Sequence, residues 1–117
     1  MGDRPVTIWF NPSCSKCRGT MEILGDRGVR PEVVEYLSTP PTADEIRDVL
    51  GLLGVGARGL VRTGEPLYAE LGLAGATDDE LIDAMAANPI LIERPVVISG
   101  GRAVIGRPPE RVIELLD

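Results

Sequence analysis

The chain has 117 residues, of which 44% are hydrophobic, and 18 acidic against 12 basic residues give a net charge of −6. This length suits one domain with a buried core, and the apolar content is typical of a folded globular protein. An acidic chain lacks the concentrated basic face that binds phosphate backbones, so nucleic acid is not an expected partner. No apolar run approaches the roughly 20 residues of a membrane span, and the N-terminus lacks a signal peptide's apolar segment. We therefore expect a cytoplasmic protein without a membrane partner.

The first third of the chain predicts a strand, a helix and a second strand. Residues 6–10 are mostly β-branched or aromatic, which favours a buried strand. A helix is expected after Cys14, running to about Asp26 with Gly28 ending it, followed by a strand over residues 31–37. A βαβ unit of this length is typical of the first half of a thioredoxin-like domain.

The middle of the chain predicts helices. Thr42 begins a helix with acidic residues in its first turn, and apolar residues follow at helical spacing: Ile46, Val49, Leu50 and Leu53. Residues 67–71 predict a short helix between Pro66 and Gly72. Residues 77–80 form a capping-box pattern that opens a helix through Ala87. Residues 41–88 are therefore expected to form an all-helical insertion.

The last part of the chain returns to strands. Residues 95–98 and 102–105 predict an antiparallel hairpin through the turn Ser99-Gly100-Gly101, and Pro108 opens a final helix. The fold class expected is α/β: a thioredoxin-like mixed sheet of about four strands with flanking helices and the all-helical insertion. We expect residues 1–117 to form one such domain.

The cysteines carry the clearest chemical signal. Cys14 and Cys17 are the only two in the chain, and they form a C-x-x-C motif between a predicted strand and a predicted helix. The backbone N–H groups and positive dipole end of that helix favour the thiolate of Cys14. The spacing beside a βαβ unit is typical of a redox site.

Three other roles are open to such a pair. A zinc site needs about four ligands, and without histidine or further cysteine it would require a dimer or carboxylates. A structural disulfide would close a very small loop and stabilise little. Two inert cysteines would act as small hydrophobic residues.

Three arginines stand at segment boundaries. Arg62 lies in a glycine-flanked loop, Arg94 precedes Pro95 and the third strand, and Arg107 follows the fourth strand. Because arginine donates paired hydrogen bonds and stays charged, such a trio could bind a tetrahedral oxyanion near Cys14. Any one of them could equally be a surface charge. We expect a cis bond between Arg94 and Pro95, which would present Arg94 to the sulfur.

Several ordered motifs along nearly the whole chain resemble those of the glutaredoxin-coupled arsenate reductases. They are residues 11–14 with Arg18, then 60–62, 65–66, 71–73, 77–82, 88–92, 94–97 and 106–108. The resemblance implies reduction of arsenate to arsenite, with Cys14 as the nucleophile. It also implies oxyanion binding by the arginines Arg62, Arg94 and Arg107.

The same resemblance implies a reaction sequence. In the family the cysteine attacks arsenate, glutathione attacks the cysteine–arsenic adduct, and glutaredoxin then removes the glutathione. No bound cofactor is implied, and glutathione or another low-molecular-weight thiol is expected as co-substrate. Glutaredoxin or thioredoxin is the expected protein partner.

Two positions depart from the family pattern. Phe10 stands where well-known members often have histidine, so no imidazolium is expected to help ionise Cys14. Cys17 stands where they commonly have serine, which gives Cys14 a resolving partner and opens reduction by thioredoxin. We expect Cys14 to be the more exposed and more acidic of the two thiols.

Two other functions fit a chain of this type. One is a redox-switched regulatory protein that binds RNA polymerase, like the related Spx-like proteins. The other is a general thiol–disulfide or glutathione-dependent reductase. The presence of both Arg62 and Arg107 favours the oxyanion enzyme over the switch, because a switch does not need them.

Overall fold

The computed structural model describes residues 5–116. They form two compact units, one built from the residues up to Tyr36 together with those from Arg94 onward, the other from Leu37–Glu93. None of the helices among these residues is long and apolar enough to cross a membrane. A single domain with an insertion at about 41–88 stays a prediction.

The first unit contains a four-stranded sheet. Its strands are β1 (Val6–Trp9), β2 (Glu32–Val34), β3 (Val96–Ser99) and β4 (Arg102–Ile105). They lie in the order β2-β1-β3-β4, and β1 is parallel to β2. β3 is antiparallel to both β1 and β4. The predicted mixed sheet and its hairpin are confirmed.

Helices of this unit follow two of the strands. Helix α1 (Ser15–Asp26) connects the parallel strands β1 and β2, as a crossover must, and Gly28 follows it with φ +74°. The chain closes with a 3₁₀ turn, Pro109–Val112, that continues into a short α-helix, Ile113–Leu116. The predicted helices are confirmed, although the last one begins with a tighter turn.

The core of the first unit lies between the sheet and these helices. β1 contributes Val6 and Ile8, and the rest of the buried cluster comes from α1, the hairpin and the C-terminal helical segment: Leu24, Val97, Val104, Val112 and Leu115. Burial of such aliphatic side chains supplies the main favourable free energy of folding. This core packs α1 and the C-terminal helical segment against the sheet.

Strand β2 is shorter than the predicted segment 31–37. Its pairing with β1 ends where Trp9 faces Val34, and one further hydrogen bond runs from the Phe10 N–H to the Val34 carbonyl (2.8 Å). Beyond that point β1 leaves the sheet, so Glu35 and the residues after it have no strand to pair with. The β-forming sequence therefore continues without a ladder.

The second unit contains the three predicted helices of the middle segment. They are α2 (Ala43–Leu53), α3 (Pro66–Glu70) and α4 (Asp78–Ala87). Thr42 caps α2 and Thr77 caps α4, each in a reciprocal capping box with the glutamate three residues later. Three short 3₁₀ turns and an isolated antiparallel bridge between Val61 and Ile92 were not predicted.

Two glycines near the end of α2 give a test of this helix. Gly51 lies inside the helix with open space around it, whereas Gly54 ends the helix with φ +71°. We expect Gly51→Ala to stabilise the protein by about 0.5–1 kcal/mol, because alanine restricts the unfolded chain. Gly54→Ala should instead destabilise it by about 1–2 kcal/mol, because alanine disfavours that backbone region. Urea unfolding measures both, and a stabilising Gly54→Ala would contradict this helix end.

Candidate active site

A tight turn places Cys14 at the start of α1. The Cys14 N–H donates to the Asn11 carbonyl (3.0 Å), and the Ser13 N–H donates to Asn11 Oδ1 (2.9 Å). Cys14 is the N-cap residue of α1 with extended backbone angles, as predicted from its place between strand and helix. Its side chain therefore lies where the helix has unsatisfied N–H groups and a positive dipole end.

The environment of Cys14 favours its thiolate. The side chain is 7% exposed, and this burial alone raises its pKa. Three interactions with Cys17 and Lys16 lower the pKa of Cys14: those of the Cys17 backbone, the Cys17 thiol and the Lys16 backbone. The charge of Arg94 lowers it further. Together they outweigh the effect of burial, so the pKa of Cys14 lies below its ordinary value. The side chain makes no cap hydrogen bond of full geometry, so these N–H groups act mainly through their orientation. Cys14 is the better nucleophile of the pair.

Cys17 lies one helical turn further on and has the opposite character. It is fully buried, and burial, together with the neighbouring Cys14, raises its pKa to about 12. The Asn11 N–H donates to its Sγ at 3.5 Å and opposes this shift. The prediction that Cys14 is the more exposed and more acidic thiol is confirmed.

Both sulfurs are free thiols. Each thiol affects the pKa of the other: Cys17 contributes to the lowered pKa of Cys14, and Cys14 contributes to the raised pKa of Cys17. Among residues 5–116, no group of three or more His, Cys, Asp or Glu side chains is placed to hold a metal ion. The pair is therefore a dithiol in which the pKa of Cys14 is lowered and the pKa of Cys17 is raised.

Arg94 lies beside this dithiol. The predicted cis bond between Arg94 and Pro95 is confirmed. The charge of Arg94 is one of the contributions that favour the thiolate of each cysteine, although the pKa of Cys17 is raised in total. Its Nε is buried and has no hydrogen-bond partner within residues 5–116. A buried donor of this kind normally finds an acceptor, so it is suited to receive a ligand oxygen.

Arg107 is anchored to the same segment. It is exposed, and its Nη1 donates to the Arg94 carbonyl at 3.3 Å. The bond between Arg107 and Pro108 is also cis, which was not predicted. The structure thus brings Arg94 and Arg107 together, while the direction of the Arg107 side chain toward Cys14 stays a prediction.

Arg62 belongs to the second unit. Its Nη1 lies 3.3 Å from the Glu65 carboxylate and donates to the Ile90 carbonyl at 3.2 Å. Both side chains of the ion pair are largely buried, at 24% and 16% exposure. Arg62 is therefore held in place by its own unit, and its approach to Cys14 stays a prediction.

Gly106 has a role that sequence reasoning missed. Its N–H donates to the Pro95 carbonyl (2.9 Å), and a Cβ there would lie 2.7 Å from Thr20 Oγ1 and 2.9 Å from Pro95 Cγ. The end of β4 thus approaches both Pro95 and α1 closely. The available signal was its position directly before Arg107.

Comparison with known proteins identifies the family. The family model described as ArsC family matches residues 9–115. The chain belongs to the ArsC family. Its similarity to other ArsC chains extends over nearly its whole length, and the predicted thioredoxin-like α/β fold is confirmed.

Three relatives show how close this ArsC chain is to known sequences and structures. The uncharacterized protein YfgD of Escherichia coli (strain K12) is 50% identical, over 97% of this chain and 98% of YfgD. An arsenate reductase of Neisseria meningitidis serogroup A is 43% identical, over 95% of this chain and 97% of its own. The solved arsenate reductase of Vibrio cholerae is 44% identical, with a TM-score of 0.92 over 95% of this chain and 97% of that one.

The ionisation of Cys14 in this ArsC chain gives a first test of the site. We expect the rate of Cys14 alkylation by iodoacetamide to rise with pH to a midpoint below the ordinary 9.0 of a cysteine thiol. Arg94→Gln should move this midpoint upward, because it removes a positive charge beside the thiolate. Arg111→Gln, which changes an exposed arginine paired with Glu114, is the matched control. Equal midpoints in all three proteins would show that Arg94 does not act on Cys14.

The close approach at Gly106 gives a second test. We expect Gly106→Ala to destabilise the protein by about 1–3 kcal/mol, because the added methyl overlaps atoms of Thr20 and Pro95. Gly101→Ala, in the open hairpin turn, should change stability by less than about 0.5 kcal/mol. Thermal or urea unfolding compares the two, and an equal effect of both substitutions would contradict the tight packing.

Proposed function

We propose that this chain reduces arsenate to arsenite, with Cys14 as the nucleophile and external thiols as the source of electrons. The observation that carries the proposal is the lowered pKa of Cys14 together with the buried, unpartnered Nε of Arg94, whose charge contributes to that lowering. Membership of the ArsC family and the arsenate reductases among its relatives support it.

The first step is attack of Cys14 on arsenic. A bond forms between Cys14 Sγ and the arsenic atom, and one arsenic–oxygen bond breaks. The departing oxygen takes protons and leaves as water, while arsenic stays pentavalent. A lowered pKa increases the fraction of Cys14 that is thiolate, which is the form that attacks arsenic.

Arginines make this attack feasible because a thiolate must approach an anion. Arg94 offers its Nε, and Arg107, bound to the Arg94 carbonyl, brings a second guanidinium to the same segment. Fixed positive groups offset the repulsion and stabilise charge that develops on the arsenate oxygens. We propose Arg62 as a third binding residue from its sequence motif alone.

The electrons come from thiols. We propose glutathione or another low-molecular-weight thiol as co-substrate, with glutaredoxin or thioredoxin as the protein that restores the reduced enzyme. A thiol that attacks the Cys14–arsenic adduct at Cys14 Sγ breaks the sulfur–arsenic bond and leaves the electron pair on arsenic. Arsenic then departs as trivalent arsenite, and the two sulfurs form a disulfide.

The direct test is arsenite production by the purified protein. We expect turnover of arsenate with a glutathione and glutaredoxin system or with a thioredoxin system, and none by Cys14→Ser with either. Arsenic speciation measures the product. A wild-type chain that reduces a small mixed disulfide but produces no arsenite would instead be a general thiol–disulfide reductase.

The arginines have their own test. We expect Arg94→Ala and Arg107→Ala each to lower kcat/KM for arsenate by about 100-fold, the usual scale for loss of one oxyanion donor. Arg111→Ala, an exposed arginine of the C-terminal segment, should leave kcat/KM unchanged. Arg62→Ala tests the third assignment. If the Arg94, Arg107 and Arg62 variants all retained wild-type kcat/KM, the assignment of these arginines to an oxyanion site would be wrong.

A further inference from the structure

A reaction that uses a single enzyme cysteine does not need Cys17. The surroundings of Cys17 nevertheless suit a second reactive thiol. Cys17 is fully buried and lies one helical turn after Cys14, and its sulfur is 3.5 Å from the Asn11 backbone nitrogen. No other cysteine exists in the chain. Because it is buried, an external substrate or thiol reaches Cys14 first, and the reaction partner that Cys17 can contact is the Cys14 sulfur.

We propose that Cys17 is the resolving thiol of this enzyme: it attacks the Cys14–arsenic adduct, releases arsenite, and leaves a Cys14–Cys17 disulfide that a protein dithiol reduces. This inference rests on the proposed function and specifies its electron donor. In the attack on the Cys14–arsenic adduct, Cys17 takes the place of glutathione.

The step balances without any external reductant. Cys17 Sγ forms a bond to Cys14 Sγ, the bond between Cys14 Sγ and arsenic breaks, and its electron pair stays on arsenic. Arsenic gains two electrons and leaves as arsenite, while two thiols are oxidised to one disulfide. The Cys17 proton passes to an oxygen of the departing arsenite.

The effect of Cys14 on the pKa of Cys17 differs before and after the arsenic adduct forms. Burial is the largest cause that keeps Cys17 protonated, and the charge and hydrogen bond of Cys14 add to it. Once Cys14 is bound to arsenic, the two contributions from Cys14 are removed, whereas the Asn11 N–H and the charge of Arg94 still favour a Cys17 thiolate. The adduct therefore removes the part of the Cys17 pKa rise that comes from Cys14, while the part that comes from burial stays.

Proximity favours Cys17 over a free thiol. The two cysteines are three residues apart across the first turn of α1, where side chains are neighbours. An intramolecular group held next to the reacting atom acts at an effective concentration far above that of any dissolved thiol. The adduct should therefore react internally before glutathione reaches it.

A thiol-free single turnover tests the inference. Reduced wild-type protein, freed of all added thiol under anaerobic conditions, is mixed with arsenate, and arsenite, free thiols and intact mass are measured. We expect about one equivalent of arsenite per chain, loss of both thiols and a monomeric internal disulfide. A protein whose Cys14 acts alone releases no arsenite under these conditions.

Cys17→Ser is the matched variant, because serine is nearly the same size and retains a hydrogen-bond donor. We expect it to release no arsenite without added thiol, to lose most turnover with thioredoxin, its reductase and NADPH, and to retain turnover with glutathione and glutaredoxin. Cys17→Ala should behave in the same way, which separates the resolving role from a hydrogen-bonding one. Circular dichroism verifies that both variants are folded.

The outcomes separate this inference from the proposed function. Wild-type turnover with glutathione and glutaredoxin, but no arsenite in the thiol-free reaction, would overturn the inference and leave the proposed function intact. A disulfide between two chains, or full thiol-free release by Cys17→Ser, would also overturn it. No arsenite under any condition would overturn the proposed function as well.

Discussion

The contact between the Cys14 sulfur and the start of α1 is the constraint on which the rest of the site depends. A buried thiol is ordinarily a weaker acid than an exposed one, and burial acts in that direction on Cys14. The backbone N–H groups of Cys17 and Lys16, together with the Cys17 thiol and the charge of Arg94, outweigh the effect. The N–H groups are available only because the chain turns from β1 into α1 at Cys14, where the helix has no acceptors of its own.

Because residue 10 is Phe10, no side chain at that position can stabilise the Cys14 thiolate by its charge. A histidine at that position could carry a positive charge, but Phe10 packs partly against the apolar core of the first unit. The remaining positive charge that acts on Cys14 comes from Arg94, which reaches the site from the loop before β3. The thiolate is thus stabilised by groups from two distant parts of the sequence. Gly106 allows a third part, the end of β4, to approach the same place.

Local signals made most of the fold predictable. The capping boxes at Thr42 and Thr77, the helix stop at Gly28 and the glycine turn between β3 and β4 each lie within a few residues of the structure they determine. The length of β2 could not be read in this way, because it depends on where β1 leaves the sheet. The bridge between Val61 and Ile92 joins residues far apart in sequence and leaves no periodic pattern. The 3₁₀ turns are too short to have one.

The candidate site divides along the same line. The order of the two cysteine pKa values could be predicted from their positions in α1. Cys14 is at the helix start, where the helix dipole favours the thiolate, and Cys17 is one turn later, where burial raises the pKa. The nearness of Arg94 followed from its place before Pro95. For Arg62 no local pattern indicates that Glu65 and the Ile90 carbonyl hold its guanidinium, because the second of these contacts spans 28 residues. An arginine already paired with a carboxylate binds an incoming anion only in competition with that carboxylate, so the contribution of Arg62 depends on how readily Glu65 is displaced.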